Sequence, residues 1–152
     1  MTVDFSLIKN QDKSLFDKFE EAYNDDGLGV MIINNVPGYV ERRKALLPLA
    51  QKLANLPKNV LESLECPEYL YGVGWSHGRE KFKGIPDFLK GSYYANPWYE
   101  AFKSNSLDEE GNPVVFYNRW PKEDLPELEP AFQNLGGLIN DVGIELATNL
   151  DK

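Results

Sequence analysis

The chain has 152 residues, enough for one domain with a sizeable core, and its 42% hydrophobic and 12% aromatic content excludes a disordered polymer. A formal net charge of -8 argues against a nucleic-acid or anionic-membrane surface, since both need clustered Lys and Arg. A single cysteine, Cys66, excludes a disulfide within the chain and suits a reducing compartment. The start, MTVDFSLIKN, lacks the basic segment and apolar run of a signal peptide, and no apolar stretch approaches the roughly 18 residues that span a bilayer. The resulting expectation is a soluble, cytoplasmic, single-domain protein of residues 1–152, with neither nucleic acid nor membrane among its partners.

In chain order, residues 14–26 read as a helix capped by Ser14, with Leu15, Phe16, Phe19 and Tyr23 on one stripe and Gly27 as its stop. Residues 28–34 (LGVMIIN) are a short, continuous apolar run rich in β-branched residues, which predicts a buried strand. Val36-Pro37-Gly38 predicts a turn. Residues 39–55 predict a second helix that buries Leu46, Leu49, Ala50 and Leu53. Pro48 either kinks it or opens its second part, because an interior proline costs about 3 kcal/mol. Pro57 opens a short helix to Glu65, with Val60, Leu61 and Leu64 inward.

Residues 71–97 (YGVGWSHGREKFKGIPDFLKGSYYANP) hold five of the twelve glycines, the only histidine and three of the eight tyrosines, with no helical or strand period. Such a segment is a poor core builder and a good place for function. Residues 92–95 and 114–117 are candidate strands, with a turn signal over residues 108–113 between them. Asn118-Arg119-Trp120-Pro121 reads as a loop. A last helix runs from about Glu127, its stripe formed by Leu128, Phe132, Leu135, Ile139, Val142 and Leu146. Gly136, Gly137 and Gly143 each cost that helix about 1 kcal/mol relative to alanine, so another element should approach closely there. The helix reaches Asn149-Leu150-Asp151-Lys152 without a stop signal, and only three strand-like runs precede it. Both features read as a domain that is incomplete by itself.

One histidine and one cysteine cannot build a two-histidine, one-carboxylate iron site or an ordinary zinc site. The carboxylates of Asp108, Glu109 and Glu110 match no calcium-loop spacing and read as a solvated turn. Ser76 and His77 are sequence neighbours, which does not make a dyad, and His77 reads as a hydrogen-bonded structural or surface residue. Cys66 has only Lys58 as a basic residue within ten positions and reads as an inert thiol. Gly72, Gly74 and Gly78 match neither phosphate-binding fingerprint and instead permit positive φ.

A binding surface remains. Arg79, Lys81, Lys83 and Lys90 stand in an acidic chain, followed by Tyr93, Tyr94, Trp98 and Tyr99, a combination that suits an anionic or amphipathic organic substrate. The more ordinary alternative has Tyr94 and Trp98 filling a core and the cations solvated.

Several of these segments, in this order, resemble a family. A helix ending in Tyr-Asn-Asp-Asp-Gly-Leu-Gly (residues 23–29) leads to Val-Met-Ile-Ile-Asn-Asn (30–35), then to a helix entering Leu56-Pro57-Lys58. Gly72-Val73-Gly74, the stretch from Asp87 to Tyr94, Asn118-Arg119-Trp120-Pro121 and Leu125-Pro126 follow. Together they resemble the N-terminal domain of isopenicillin-N-synthase-like, clavaminate-synthase-like non-haem iron(II)- and 2-oxoglutarate-dependent dioxygenases, over about residues 5–150. Asn34-Asn35 stands where many members have Asn-His-Gly, and Lys90-Gly91 replaces the usual acidic position.

In that family a double-stranded β-helix after the long helix carries the His-x-Asp and distal His that hold iron, and the Arg-x-Ser that anchors 2-oxoglutarate. None of those residues is present here. The resemblance therefore implies an α+β domain of several helices and a few short strands, which would normally extend the sheet of the β-helix. It implies no catalytic or metal residue and no cofactor in this chain, with iron(II) and 2-oxoglutarate belonging to a complete oxidoreductase. It places Ser92 to Ala95 near the mouth of the active site, where Tyr93 or Tyr94 touches substrate; with Asn96 at the end of that wall and Arg79 from the cation cluster above, these are the candidate contacts to a small organic substrate. The partner is then the β-helix domain, or another protein covering the apolar helix face. The alternative is a free-standing, non-catalytic binding module derived from that domain.

Overall fold

The computed structural model describes residues 1–108, 110–111 and 113–150, of which 104–107 and 113 by their backbone. The architecture is mixed α+β. Among the described residues there are five α-helices, one 3-10 helix and eight short strands paired as four two-stranded sheets. The packing divides into two compact units, residues 1–42 with 137–152, and residues 43–136. Both junctions fall inside helices, so no linker-like composition marks them in the sequence.

In the first unit, β1 (Thr2–Asp4) pairs in parallel with β2 (Ile32–Asn34), Val3 opposite Ile33. A parallel pair needs a crossover, here made by α1 (Phe5–Lys9) and α2 (Leu15–Tyr23). Asp4 caps α1 by accepting from the Ser6 amide at 2.9 Å. The Ser6 hydroxyl, and then the Asn35 amide, hold the Asp4 carboxyl below its ordinary range. Val3, Ile8, Leu15 and Phe19 form the core, with Met31, Ile33 and Leu146 against it.

Two expectations need correction in this unit. The inward stripe of α2 is Leu15, Phe19 and Ala22; Phe16 and Tyr23 are exposed, and Ser14 makes no side-chain cap. The predicted buried strand over residues 28–34 is extended only at Ile32–Asn34, and Leu28 is 89% exposed. The run is apolar enough, but Gly29 at φ +65° breaks it and the three-residue β1 offers little to pair with. The predicted turn at Val36-Pro37-Gly38 is present, with Gly38 at φ +75° and the Tyr39 amide donating to the Val36 carbonyl.

α3 (Tyr39–Ala54) runs on through Pro48 without a break. From Arg43 onward it belongs to the second unit and buries Leu49 and Leu53, whereas Ala50 is exposed. α4 (Lys58–Ser63) follows Pro57, as predicted, and Leu64 is buried just beyond it. A 3-10 turn (Pro67–Tyr69) leads to β3 (Gly74–His77), antiparallel to β6 (Gly91–Tyr94). Between them β4 (Lys81–Phe82) and β5 (Ile85–Pro86) make a hairpin, and β7 (Ala101–Leu107) pairs with β8 (Pro113–Tyr117). The core gathers Leu49, Leu53, Leu64, Trp75, Trp120, Leu125 and Leu128.

The strands predicted at 92–95 and 114–117 therefore exist, but neither is the other's partner; they pair with β3 and β7. Strands of two to four residues carry too few positions to show a period, which hid β1, β3, β4 and β5; the seven-residue β7 was hidden because its sequence, AFKSNSL, has no apolar alternation. The segment 71–97 is also no mere loop. Val73, Trp75 and Ser76 are buried, so it builds core as well as surface. At the 108–113 turn, Gly111 has φ +82° and the Glu110 amide donates to Asp108 Oδ1. Glu109 and Asn112, and with them the three-carboxylate cluster as a whole, lie outside the described residues, as do Asp151 and Lys152.

α5 (Leu128–Leu150) has the predicted periodicity, with Leu128 and Leu135 buried and Ile139 52% exposed. Its glycines differ. A Cβ on Gly136 would lie 2.5 Å from Pro97 Cβ, whereas one on Gly143 would meet nothing. Gly143→Ala is therefore expected to stabilise by up to about 1 kcal/mol through helix propensity. Gly136→Ala should destabilise by about 1–3 kcal/mol through overpacking against a rigid ring. Thermal melts of the two variants should shift in opposite directions; equal shifts would contradict the close approach at Pro97.

Candidate binding site

Strand alternation sends neighbouring side chains to opposite faces, and β6 shows what this does to two predicted site residues. Tyr93 turns inward, its ring 5.9 Å from Trp120 and 6.1 Å from Phe132, and its hydroxyl donates to the Arg119 carbonyl. Tyr94 turns outward and is about half exposed. The alternative in which Tyr94 and Trp98 fill a core is thereby corrected: the core aromatics of this unit are Trp75 and Trp120, with Tyr93 and Phe132 packed against them.

Asn96 follows directly. Its side-chain oxygen accepts from the Trp98 and Tyr99 amides at 2.8 and 3.0 Å, an Asx-type turn that commits it to shaping the chain. Its own backbone is held by Asn118, whose Oδ1 accepts from the Asn96 amide while Nδ2 donates to the carbonyls of Asn96 and Tyr99. Arg79 has its polar contact elsewhere. It donates to Glu65 Oε2 at 2.6 Å and lies 5.4 Å over the Tyr71 ring, and the bond to Glu65 holds its pKa above the ordinary value. Tyr93, Tyr94, Asn96 and Arg79 thus occupy distinct environments.

The inward face of Tyr93 borders a pocket of about 270 Å³ lined by Leu46, Ala50, Leu53, Trp75, Leu128 and Phe132, with Gly91 at its edge. Any Cβ at Gly91 would fall 2.3 Å from the Trp75 indole, so only glycine lets that ring lie against β6. No charged side chain lines this pocket. It can take a small apolar body, and the four cations of 79–90 contribute nothing to it. Burial pushes the Tyr93 phenol well above its ordinary value of 10.0, with nearby Glu129 and Glu100 adding to the rise.

Removing that hydroxyl in Tyr93→Phe is expected to cost about 1 kcal/mol, one hydrogen bond to a carbonyl. The pH dependence has a definite sign. Above about pH 10 the unfolded phenol ionises while the folded one stays protonated, so stability falls as pH rises. Tyr93→Phe should flatten that alkaline decline; an unchanged decline would show that Tyr93 ionises freely in the folded state.

Four residues that bear on the site carry other chemistry. His77 Nε2 lies 3.0 Å from the Phe88 carbonyl, which can only accept, so this nitrogen carries the hydrogen; the ring also meets Phe88 edge-on. His77 is therefore a hydrogen-bonded structural residue. Cys66 is fully buried, and the fold gives it a cationic neighbour that sequence proximity did not show: Arg119 Nε donates to Sγ at 3.4 Å. Asn118 and Trp120, read from sequence as loop residues, are buried, and the Trp120 indole N–H donates to Glu100 at 3.0 Å. Their place in the Asn118-Arg119-Trp120-Pro121 segment of the resemblance was the sequence signal, and it did not reveal burial.

A metal would need its donors from the same residues. Among the described residues no three His, Cys, Asp or Glu side chains stand close enough to hold one. The only histidine is bonded to a carbonyl and the only thiol to a guanidinium, so the donor set does not fit an iron centre. In the first unit a larger pocket, about 450 Å³, is lined by Ile33, Asn35, Val36, Tyr39, Ile139 and Val142 among others. Among the described residues no helix is long and apolar enough to cross a membrane.

Fold and site define a mixed α+β protein with an apolar pocket bordered by Tyr93. No family model matches the sequence, no curated protein matches it, and no solved structure matches its fold.

Proposed function

We propose that the chain is the substrate-side, non-catalytic domain of a non-haem iron(II)- and 2-oxoglutarate-dependent oxidoreductase, completed by a double-stranded β-helix domain that supplies the metal ligands. Iron and 2-oxoglutarate, held by that second domain, would activate O₂ for oxidation of a small organic substrate. What supports the reading is the way the segments that carry the resemblance pack together. The Asp87–Tyr94 stretch and the Asn118–Pro121 stretch are joined by the bond from Tyr93 to Arg119, and just beyond the first stretch Asn118 makes two further bonds to Asn96 and one to Tyr99. A substrate wall built from β6 needs that rigidity, because loose walls position nothing. The pocket against Tyr93 would take the apolar part of such a substrate.

The test is the coding sequence that follows Lys152. His-x-Asp, a later His and Arg-x-Ser in frame support the proposal; a stop codon followed by unrelated sequence overturns it. The second reading, a free-standing binding module, draws on the commitment of His77 and Cys66 to structural bonds. Titration of the chain with iron(II) and 2-oxoglutarate bears on both. No tight binding is expected, and tight, specific binding would contradict the absence of a metal site from either reading.

A further inference from the structure

The hairpin of residues 79–90 has surface properties that neither the pocket nor the iron-oxygenase reading uses. Its turn residues Lys83 and Gly84 both have positive φ, +50° and +81°, the signature of a two-residue type I′ turn. An isolated two-stranded hairpin is marginal in water, yet this one is pinned at its base. The Asp87 amide donates to the Glu80 carbonyl at 2.8 Å, and the Leu89 amide donates to Asp87 Oδ1 at 2.8 Å. His77 donates to the Phe88 carbonyl, and the Phe88 ring lies so close over Gly78 that a Cβ there would sit 2.1 Å from it.

What the base holds out is apolar. Phe82 and Ile85 are each 72% exposed and Leu89 is 99% exposed, three large apolar side chains within eight residues. Cations flank them. Arg79 is paired with Glu65, and Lys90 with Glu80. Among the described residues Lys81 and Lys83 have no carboxylate partner, and Lys83 lies over the Phe82 ring at 5.5 Å. Exposed apolar side chains ringed by unpaired lysines are the composition of an interfacial membrane anchor, in which apolar area enters the acyl boundary and cations meet anionic headgroups.

We propose that the 79–90 hairpin docks this protein on an anionic lipid surface, with Phe82, Ile85 and Leu89 entering the interface and Lys81 and Lys83 at headgroup level. The whole-chain charge of -8 points the other way. Headgroups, however, sense charge only within about 8 Å at physiological ionic strength, and residues 79–90 carry Arg79, Lys81, Lys83 and Lys90 against Glu80 and Asp87, a local surplus of two positive charges (four minus two) in an acidic chain. This inference is independent of the iron-oxygenase reading, since it uses none of the residues that read as substrate contacts except Arg79, which is already paired.

The test is sedimentation of the full chain with vesicles of phosphatidylcholine alone, or of phosphatidylcholine containing a minor fraction of phosphatidylserine. Binding is expected only to the second, and it should weaken as salt shortens the screening length. The Lys81→Glu/Lys83→Glu variant should bind about thirtyfold more weakly or worse. Phe82→Ser/Leu89→Ser should lose binding while its thermal melting midpoint stays that of the parent, because both side chains are solvent-exposed. Absence of binding to either vesicle, equal binding to both, retention by Phe82→Ser/Leu89→Ser, or equally tight binding of soluble glycerophosphoserine would each overturn the proposal. The last outcome would show an anion site in place of a lipid-surface anchor.

Discussion

Gly74→Ala is expected to lower stability by more than about 3 kcal/mol, from two causes that add. Gly74 has φ +77°, where an L side chain costs about 1–2 kcal/mol. Beyond that, its Cβ would fall 2.0 Å from the Leu64 carbonyl oxygen, a backbone atom that cannot rotate away. That carbonyl also accepts from the Trp75 amide at 3.0 Å. Relieving the clash means parting β3 from the end of α4, and Trp75, a core residue of the second unit, moves with β3. For a chain of this size about 3 kcal/mol corresponds to a drop of roughly 6–12 °C in melting midpoint. Gly84→Ala is the control. Its φ of +81° carries the same conformational cost, but a Cβ there meets nothing, so the smaller loss it shows isolates the backbone term. Equal effects at the two glycines would mean that β3 does not approach Leu64 this closely.

Asn118→Ala is expected to cost about 3 kcal/mol, three hydrogen bonds at roughly 1 kcal/mol each. The residue is buried, and its amide matches each partner in kind: Oδ1 meets an N–H, and Nδ2 meets two carbonyls. Asn118→Asp keeps the shape and the acceptor but sets a carboxylate against the carbonyls of Asn96 and Tyr99. It should be at least as damaging at neutral pH and recover in part as the carboxyl is protonated in acid. Chemical denaturation of both variants at neutral and acidic pH checks this. A neutral Asn118→Asp would mean that the 96–99 turn is held by Asn96 alone.

These two positions show where sequence reading succeeds and stops. The helices at 15–23, 39–54 and 128–150 were legible because each spans enough residues to display a 3.6-residue stripe, and the short helix at 58–63 because Pro57 opens it; Gly38 likewise punctuates the chain by its own stereochemistry. Two short strands, near 92–95 and 114–117, were legible, but β1, β3, β4, β5 and the longer β7 were not, nor was any pairing, because pairing is a property of the partner. Gly74 could be marked as a glycine of positive φ, but the neighbour that makes it irreplaceable, Leu64, is ten residues away. Of the candidate site residues, Tyr93 and Tyr94 were legible as a pair of aromatics. Only β6 pairing decides that one faces the Trp120 core and the other faces solvent.

The α+β class came from the resemblance; the amino-acid sequence by itself determined the long helices, the turn at 36–38 and a single histidine, one too few for a two-histidine, one-carboxylate iron site. Those depend on local stereochemistry and on counting residue types. Tertiary structure alone decided that Arg119 stands beside Cys66, that Asn118 knots the chain at Asn96, and that Trp75 belongs to the core while Phe82 and Leu89 face solvent. Each of these is a meeting of residues that may lie tens of positions apart, and burial follows from what packs against a side chain as much as from its own polarity.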